Sequence, residues 1–240
     1  MDFITVVVPA WSVQGYLAEC LDSVLDQQTV AVEVVGVDDA SPDHSGEVLD
    51  ERAARDPRLT VLHLSSNGGP GPARNAGLDR ATGEYVWFVD GDDRIVPGAL
   101  AAIEARLREE KPDVLVVGAA RERWNRSVSA WKSPKAVTAG PEALTQAPLP
   151  LGTLVVRRQF LADAGISFHP GWYEDVAFAY EVLAEAGSVA TLEAACYIRR
   201  LDRAGSIRAT RSVRHTDAVA QYDAVLSLSL IHISEPTRPY

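Results

Sequence analysis

Three acidic groups and one basic stretch in this chain have the residue types and spacing for chemistry. The first group is Asp90, Asp92 and Asp93, which end the run EYVWFVDGDD. Tyr85 to Val89 is an unbroken aromatic and β-branched series, the pattern of a strand buried on both faces. Carboxylates at its C-terminal end sit where open α/β sheets bind ligands. Asp90 and Asp92 are two residues apart, so on an extended backbone their side chains leave on the same side, with Gly91 permitting close approach. Such a pair can share one hard divalent cation, Mg²⁺ or Mn²⁺, whose remaining ligands are water and substrate phosphate. The same residues would also make an ordinary acidic turn.

The second group, Asp38 and Asp39, follows the apolar Val32–Val37 in the same way. The third, Glu174 and Asp175, opens a helix with Val176, Ala179, Tyr180 and Leu183 on one face, where the helix dipole alone would favour carboxylates. The basic stretch has Arg199, Arg200, Arg203, Arg208 and Arg211 around Gly205, Ser206 and Ile207. In an acidic chain such arginines suit a flap that closes on phosphate, or simply a solvated surface.

Elements that must position these groups follow from periodicity. Phe3–Val8 reads as a first strand closed by Pro9, and Ser12 is placed to cap a helix carrying Tyr16, Leu17, Cys20, Leu21, Val24 and Leu25 at helical spacing. The second strand, Val32–Val37, leads to a helix capped by Asp43 or Ser45. Leu59–Leu64 is a third strand, followed by a loop from Asn67 to Pro72 and a short helix from Ala73 to Ala81. A helix over Pro97–Glu110 precedes a strand over Val114–Val117. Alternation of this kind implies a mainly parallel sheet covered on both faces. After Gly118 the composition shifts: Arg121–Pro134 is polar and aromatic without a period, then come a short helix at Pro141–Gln146, a strand at Gly152–Val156, a helix at Arg158–Ala164, the Glu174 helix and a short strand at Cys196–Leu201.

Composition bounds the function. A chain of 240 residues that is 47% hydrophobic can bury a sizeable core as one large domain or two packed halves. Its net charge of −10 argues against a nucleic-acid surface. Two distant cysteines, Cys20 and Cys196, read as reduced thiols, and no apolar run reaches the roughly 18 residues a membrane span needs. The expectation is a soluble cytoplasmic protein. The G-x-G of Gly69 to Gly71 would open a dinucleotide fingerprint, but the third glycine position is Arg74 and the loop does not follow the first strand.

Taken together, VVVPAWSVQGYLAECLDSVLDQQ, VVGVDDASPDHS, NGGPGPARNAGLDRATGEYVWFVDGDD and WYEDVAFAYEVL resemble a family two glycosyltransferase. The resemblance covers Ile4 to about Ile207. It implies an α/β, GT-A-like three-layer sandwich with a mainly parallel central sheet and a smaller acceptor-side subregion. Residues 1–118 would be the nucleotide-sugar half, 119–211 the acceptor-side half with the base helix and Arg-rich flap, and 212–227 a C-terminal helix. Residues 228–240 contain LSLIHISEPTR, which resembles a translated sequencing adapter.

The implied activity is inverting transfer of a sugar from a nucleoside diphosphate sugar, of the UDP type, to an acceptor hydroxyl, in cell-surface polysaccharide or glycan synthesis. The acceptor would be a glycan, a lipid-linked species or a polyol phosphate, with peripheral association at the inner membrane face. Matched residue by residue, Asp39 with Asp38 beside it and the backbone at Pro9 would hold the nucleobase, and Arg74 would lie near the nucleotide. Asp90 and Asp92 would contact the ribose and a diphosphate-bound Mg²⁺ or Mn²⁺. Asp175 would be the general base with Glu174 as its partner, and Arg200 and Ser206 would belong to the diphosphate flap. Trp11 and Ser12 replace the Tyr-Asn usual after the first strand, and Pro70 and Pro72 stiffen a loop that is often Ser- or Ala-rich. Two other functions share features of this sequence. A nucleotidyltransferase would want a basic Gly-rich loop after the first strand, and Ala10 to Gly15 has no Lys or Arg. A non-catalytic amino-terminal module of a longer wall-polymer enzyme is the other.

Overall fold

The computed structural model describes residues 4–27, 31–123, 125–131, 137–201 and 211–234. In chain order they form β1 (Ile4–Ala10), α1 (Gln14–Leu25), β2 (Val32–Asp38), α2 (Ser45–Ala53), β3 (Leu59–His63), α3 (Pro70–Arg80), β4 (Tyr85–Phe88), β5 (Arg94–Ile95), α4 (Ala99–Glu110), β6 (Val114–Glu122), β7 (Val128–Trp131), β8 (Leu154–Arg157), α5 (Arg158–Ala164), α6 (Glu174–Glu185), β9 (Val189–Arg200) and α7 (Asp217–Ser234). Among the described residues the strands make one sheet in the order β3-β2-β1-β4-β8-β6-β9-β5, with β7 added to β6. β3, β2, β1 and β4 are parallel, so their C-terminal ends share one edge; β8 enters antiparallel beside β4. Gly118, where the composition shifts, lies inside β6, and the sheet is continuous across it.

Two apolar layers sandwich the sheet, and alternation along β4 assigns residues to each. Tyr85, Trp87 and Val89 join Leu17, Leu21, Leu100 and Ile103 on one face. Val86 and Phe88 join Phe160, Phe168, Phe178 and Val182 on the other. This period of two places β4 at the centre of the α/β sandwich, as its unbroken apolar run implied. Phe88 meets both Phe168 and Phe178 edge-on, which ties the loop before α6 to the strand that carries the acids.

Local signals located the elements better than their ends. α1 is not capped by Ser12: Ser12 is left-handed (φ 53°), and the residue before the helix, Val13, makes no side-chain cap. The N–H groups of Ser12, Val13 and Gln14 are instead taken by Ser41 Oγ (2.7 Å), Ser45 Oγ (3.0 Å) and Asp43 Oδ2 (3.1 Å) from the loop after β2. Asp43 and Ser45, named as caps for the second helix, thus also serve the first, while Asp43 Oδ1 still accepts the Ser45 N–H at the start of α2 (3.1 Å). α3 starts at Pro70, earlier than the loop reading allowed, because proline fits the first helical turn without losing a bond. β9 begins at Val189 because it pairs in parallel with β6, a partner its own sequence does not reveal. Among the described residues no helix is long and apolar enough to cross a membrane.

Candidate functional site

The acids converge at the C-terminal edge of β2, β1 and β4. At β2, Asp39 is 2% exposed, and its two carboxylate oxygens accept the backbone N–H groups of Gly68 (2.8 Å) and Gly69 (2.9 Å). Burial raises its carboxyl above the usual range against the pull of those two amides. Its own N–H donates to the Ala10 carbonyl (3.0 Å), which seats the residue against the end of β1 beside Pro9. The neighbouring Asp38 accepts from the Ser41 amide (2.9 Å) and faces His63 Nδ1 (3.0 Å). Both ring nitrogens of His63 meet carboxylates, the second being Asp50 at 3.1 Å, and these two bonds raise its pKa, Asp38 foremost.

At β4 the chain turns through Asp90 to Asp93. A side chain on Gly91 would stand 2.9 Å from the Pro9 carbonyl oxygen and 3.2 Å from Val13, so only glycine lets this turn lie on the end of β1. Carboxylate oxygens of Asp90, Asp92 and Asp93 all lie within 4.8 Å of one another. Asp93 is buried and already engaged: it accepts from Tyr197 Oη (2.5 Å) and from the Arg200 amide (2.6 Å). Burial first, then Asp92 and Asp90, push its carboxyl well above the ordinary range. Asp90 and Asp92 are half-buried and offer hard oxygen donors at one edge, a set that fits a Mg²⁺ or Mn²⁺ ion, with Asp93 as the buried support beneath them.

Arg74, in the first turns of α3, links the acidic turn after β4 to the acidic start of α6. Its guanidinium is buried and donates through Nη2 to Asp90 Oδ1 (2.7 Å) and through Nη1 to Glu174 Oε1. Burial works against its charge, but Asp90 and Glu174 outweigh it and raise its pKa further. Glu174, 3% exposed, is itself pushed up by burial, with Arg74 opposing and Asp175 adding to the shift. Asp175, the next residue of α6, is half-buried, and its carboxylate acts on Arg74 by charge without a side-chain hydrogen bond among the described residues.

Of the two residues expected in a diphosphate flap, only Arg200 lies among the described residues. Arg200 is part of β9, and its guanidinium donates to the Asp92 carbonyl (2.9 Å) and Glu19 Oε2 (2.9 Å) while lying over the Tyr16 ring. It braces the acidic turn from behind. Ser206, with Arg203, Gly205 and Arg208, lies outside the described residues.

Side chains that the sequence did not single out complete the site. Asn75 bonds both the carbonyl and the amide of Phe168 (2.9 Å each), and Gly71 packs so closely that a side chain there would stand 2.7 Å from the His169 carbonyl. These contacts press α3 against the segment that leads into Glu174. Asn75 was visible only as part of the Ala-Arg-Asn string, and Tyr197 and His63 carried no local signal.

Known proteins bear on this geometry. The crystal structure of S. aureus TarS 1-349 in complex with UDP-GlcNAc superposes with a TM-score of 0.79 at 26% identity, covering 94% of this chain and 66% of that one. The curled, layered α/β sheet is thus the GT-A fold. Bacillus subtilis EpsJ, an uncharacterized glycosyltransferase, is 35% identical over 118 residues, 49% of this chain and 34% of its own length. Succinoglycan biosynthesis protein ExoO of Rhizobium meliloti is 29% identical over 234 residues, 92% of this chain and 66% of its own. The chain thus spans about a third of EpsJ and just under two thirds of ExoO. Residues 5–165 match the family model for glycosyl transferase family 2, and on that match, which takes in the Asp39, Arg74 and Asp90–Asp93 sites, the chain belongs to that family.

Proposed function

We propose that the protein moves a sugar from a nucleoside diphosphate sugar, of the UDP type, to an acceptor hydroxyl with inversion, in cell-surface polysaccharide or glycan synthesis. The observation that carries this reading is Arg74: one buried guanidinium holds Asp90 of the turn after β4 and Glu174 of α6. Leaving-group and nucleophile chemistry need two distinct acidic sites side by side, and Arg74 couples two such sites. TarS, which was solved with UDP-GlcNAc, and ExoO, named for succinoglycan biosynthesis, support the donor and product class. A glycan, lipid-linked or polyol-phosphate acceptor and peripheral membrane association belong to the same proposal.

In this reading Asp39, Asp38 and the Pro9 backbone receive the nucleobase, and Asp90 and Asp92 hold Mg²⁺ or Mn²⁺. The cation, when bound, would neutralise charge on the departing diphosphate. Arg74 fixes Asp90 in position and balances the buried charge of Glu174. Glu174 anchors the first turn of α6, and Asp175 beside it accepts the proton of the acceptor hydroxyl as that oxygen attacks. A positioned base of this kind contributes about 10²- to 10⁴-fold. Arg200 serves the site through the Asp92 carbonyl, and the flap role of Ser206 stands on the family resemblance.

The test pairs two variants. Asp175→Asn should lower turnover roughly 10²-fold or more with UDP affinity unchanged, whereas loss of a helix-dipole contact alone costs at most about 1 kcal/mol of stability. Asp92→Ala should abolish Mn²⁺-dependent binding of UDP in calorimetry. Near-native turnover by Asp175→Asn, or undiminished metal-independent binding by Asp92→Ala, refutes the corresponding assignment.

A further inference from the structure

Resting on the assignment of Asp175 as the base, we propose that residues 212–221 form a clasp that positions it, with His215 and Asp217 as positioning residues. The segment 170–173 runs straight into Glu174 and Asp175, and its backbone is in a form that few side chains hold unaided: Gly171 has φ 103°, and Tyr173, the residue that opens α6, has φ 65°. Such a conformation persists where the surroundings over-determine it.

The surroundings here come from the C-terminal side of the chain. Asp217 Oδ2 accepts the Trp172 N–H (3.0 Å), and a side chain on Gly171 would stand 3.2 Å from that same oxygen. The Tyr173 hydroxyl and His215 Nδ1 are 2.7 Å apart. The His215 ring stands edge-on to Trp172 with centroids 5.2 Å apart, and the Arg214 guanidinium lies over the same indole, 5.0 Å from the ring centroid. Gln221, 2% exposed, donates to the Pro170 carbonyl (3.1 Å). Pro170, Trp172 and Tyr173 are thus held by the 212–221 segment, with Gly171 lying close against Asp217, and none of these contacts involves Asp38, Asp39, Asp90 or Asp92. The clasp therefore acts directly on the α6 side of the site and reaches the nucleotide side only indirectly, through the Arg74 link between Glu174 and Asp90. Because Asp175 is the second residue of α6, any shift of the Tyr173 turn moves its carboxylate directly, and a displacement of about 1 Å at a reacting group can cost on the order of 10²-fold.

A C-terminal helix docked only for stability would show the same contacts, so the experiment must separate the two roles. In the full chain, Tyr173→Phe and His215→Ala each delete one side of a solvent-edge hydrogen bond, and Asp217→Asn weakens the hold on Trp172. Turnover is read as nucleotide release from UDP-glucose, UDP-N-acetylglucosamine and GDP-mannose with Mn²⁺, and hydrogen exchange is followed at residues 171–178 and 85–93. The clasp predicts about tenfold lower kcat for Tyr173→Phe and His215→Ala, donor KM within about twofold, and faster exchange at 171–178 alone. It predicts also that His215→Ala costs nothing further in an Asp175→Asn background, since both act through one carboxylate. Unchanged exchange at 171–178 in all three variants overturns the clasp whatever the donor. So does an equal loss from His215→Ala with and without Asp175→Asn. Native turnover by Asp175→Asn itself would instead refute the base assignment.

Discussion

Arg74→Met is the perturbation whose size follows most directly from the structure. Methionine keeps much of the side-chain volume but removes the cation that Glu174 and Asp90 share. The Arg74 and Glu174 side chains are 6% and 4% exposed, so water cannot replace the lost partner. Removing one member of a buried ion pair costs about 3–5 kcal/mol, because a charge is left buried without compensation. For a chain of this size, at about 2–4 °C per kcal/mol, the thermal midpoint should fall roughly 6–20 °C. The pH dependence identifies the cause. Burial already raises the Glu174 carboxyl and Arg74 opposes that shift, so the variant's folded-state value rises further. A carboxyl raised in the folded state binds its proton more tightly there, and stability then increases as pH falls through that value. The deficit should be complete near pH 8 and shrink as Glu174 protonates toward about pH 5. Adding Glu174→Gln to Arg74→Met should recover most of the loss at neutral pH. Denaturant unfolding of the single and double variants at both pH values is the assay. A deficit below about 1 kcal/mol, or one that is flat with pH, would refute the buried-charge reasoning.

Two further outcomes are expected. His63 gains two carboxylate partners on folding and its pKa is raised from 6.5, so its stabilisation is fully present below about that pH and is lost as pH rises through the higher folded value. The lead of the wild type over His63→Gln in thermal midpoint should therefore narrow between pH 6 and pH 8, and a lead that widens over that interval contradicts the ion-pair assignment. Gly71→Ala places a methyl 2.7 Å from the His169 carbonyl and 3.3 Å from Glu174 Cγ, neither of which can swing aside. It should destabilise by about 1–3 kcal/mol in urea unfolding and lower turnover, whereas wild-type values on both counts would mean that α3 and the 168–174 segment are not tightly packed.

Much of this architecture was legible because strands and helices announce themselves by apolar period. The runs ending at Val37 and Val89 became β2 and β4 with acids at one edge, and Arg158–Ala164 and the Glu174 helix appeared where their patterns placed them. Hydrogen bonds at the ends were not legible, because they are made by residues that sequence does not pair. Ser41, Asp43 and Ser45 cap a helix about 30 residues upstream, Asn75 binds Phe168, and Tyr197 binds Asp93. None of these leaves a trace at spacings of two or four. The length of β9 escaped for the same reason, since its first half is ordered by β6 rather than by its own pattern.

Burial separates the members of two acidic doublets that composition alone leaves equivalent. Asp92-Asp93 and Glu174-Asp175 are each a pair of adjacent carboxylates, and composition gives no reason to separate their members. Adjacent residues in a turn or at a helix start project differently, so one of each pair goes inward and the other stays at the rim. Asp93 and Glu174 are the inward members, 3% exposed each, and each is met by fixed donors: Tyr197 and the Arg200 amide for one, Arg74 for the other. An unpaired charge could not be kept there, so those donors are what allow acids to be buried in a chain already at −10. Asp92 and Asp175 are the half-exposed members, where a solute can reach them. Each doublet thus supplies one carboxylate that holds the turn and one that the turn presents. The proposed metal and proton-transfer roles fall on the presented members, and the structural cost of removing Asp93 or Glu174 should exceed that of removing either of them.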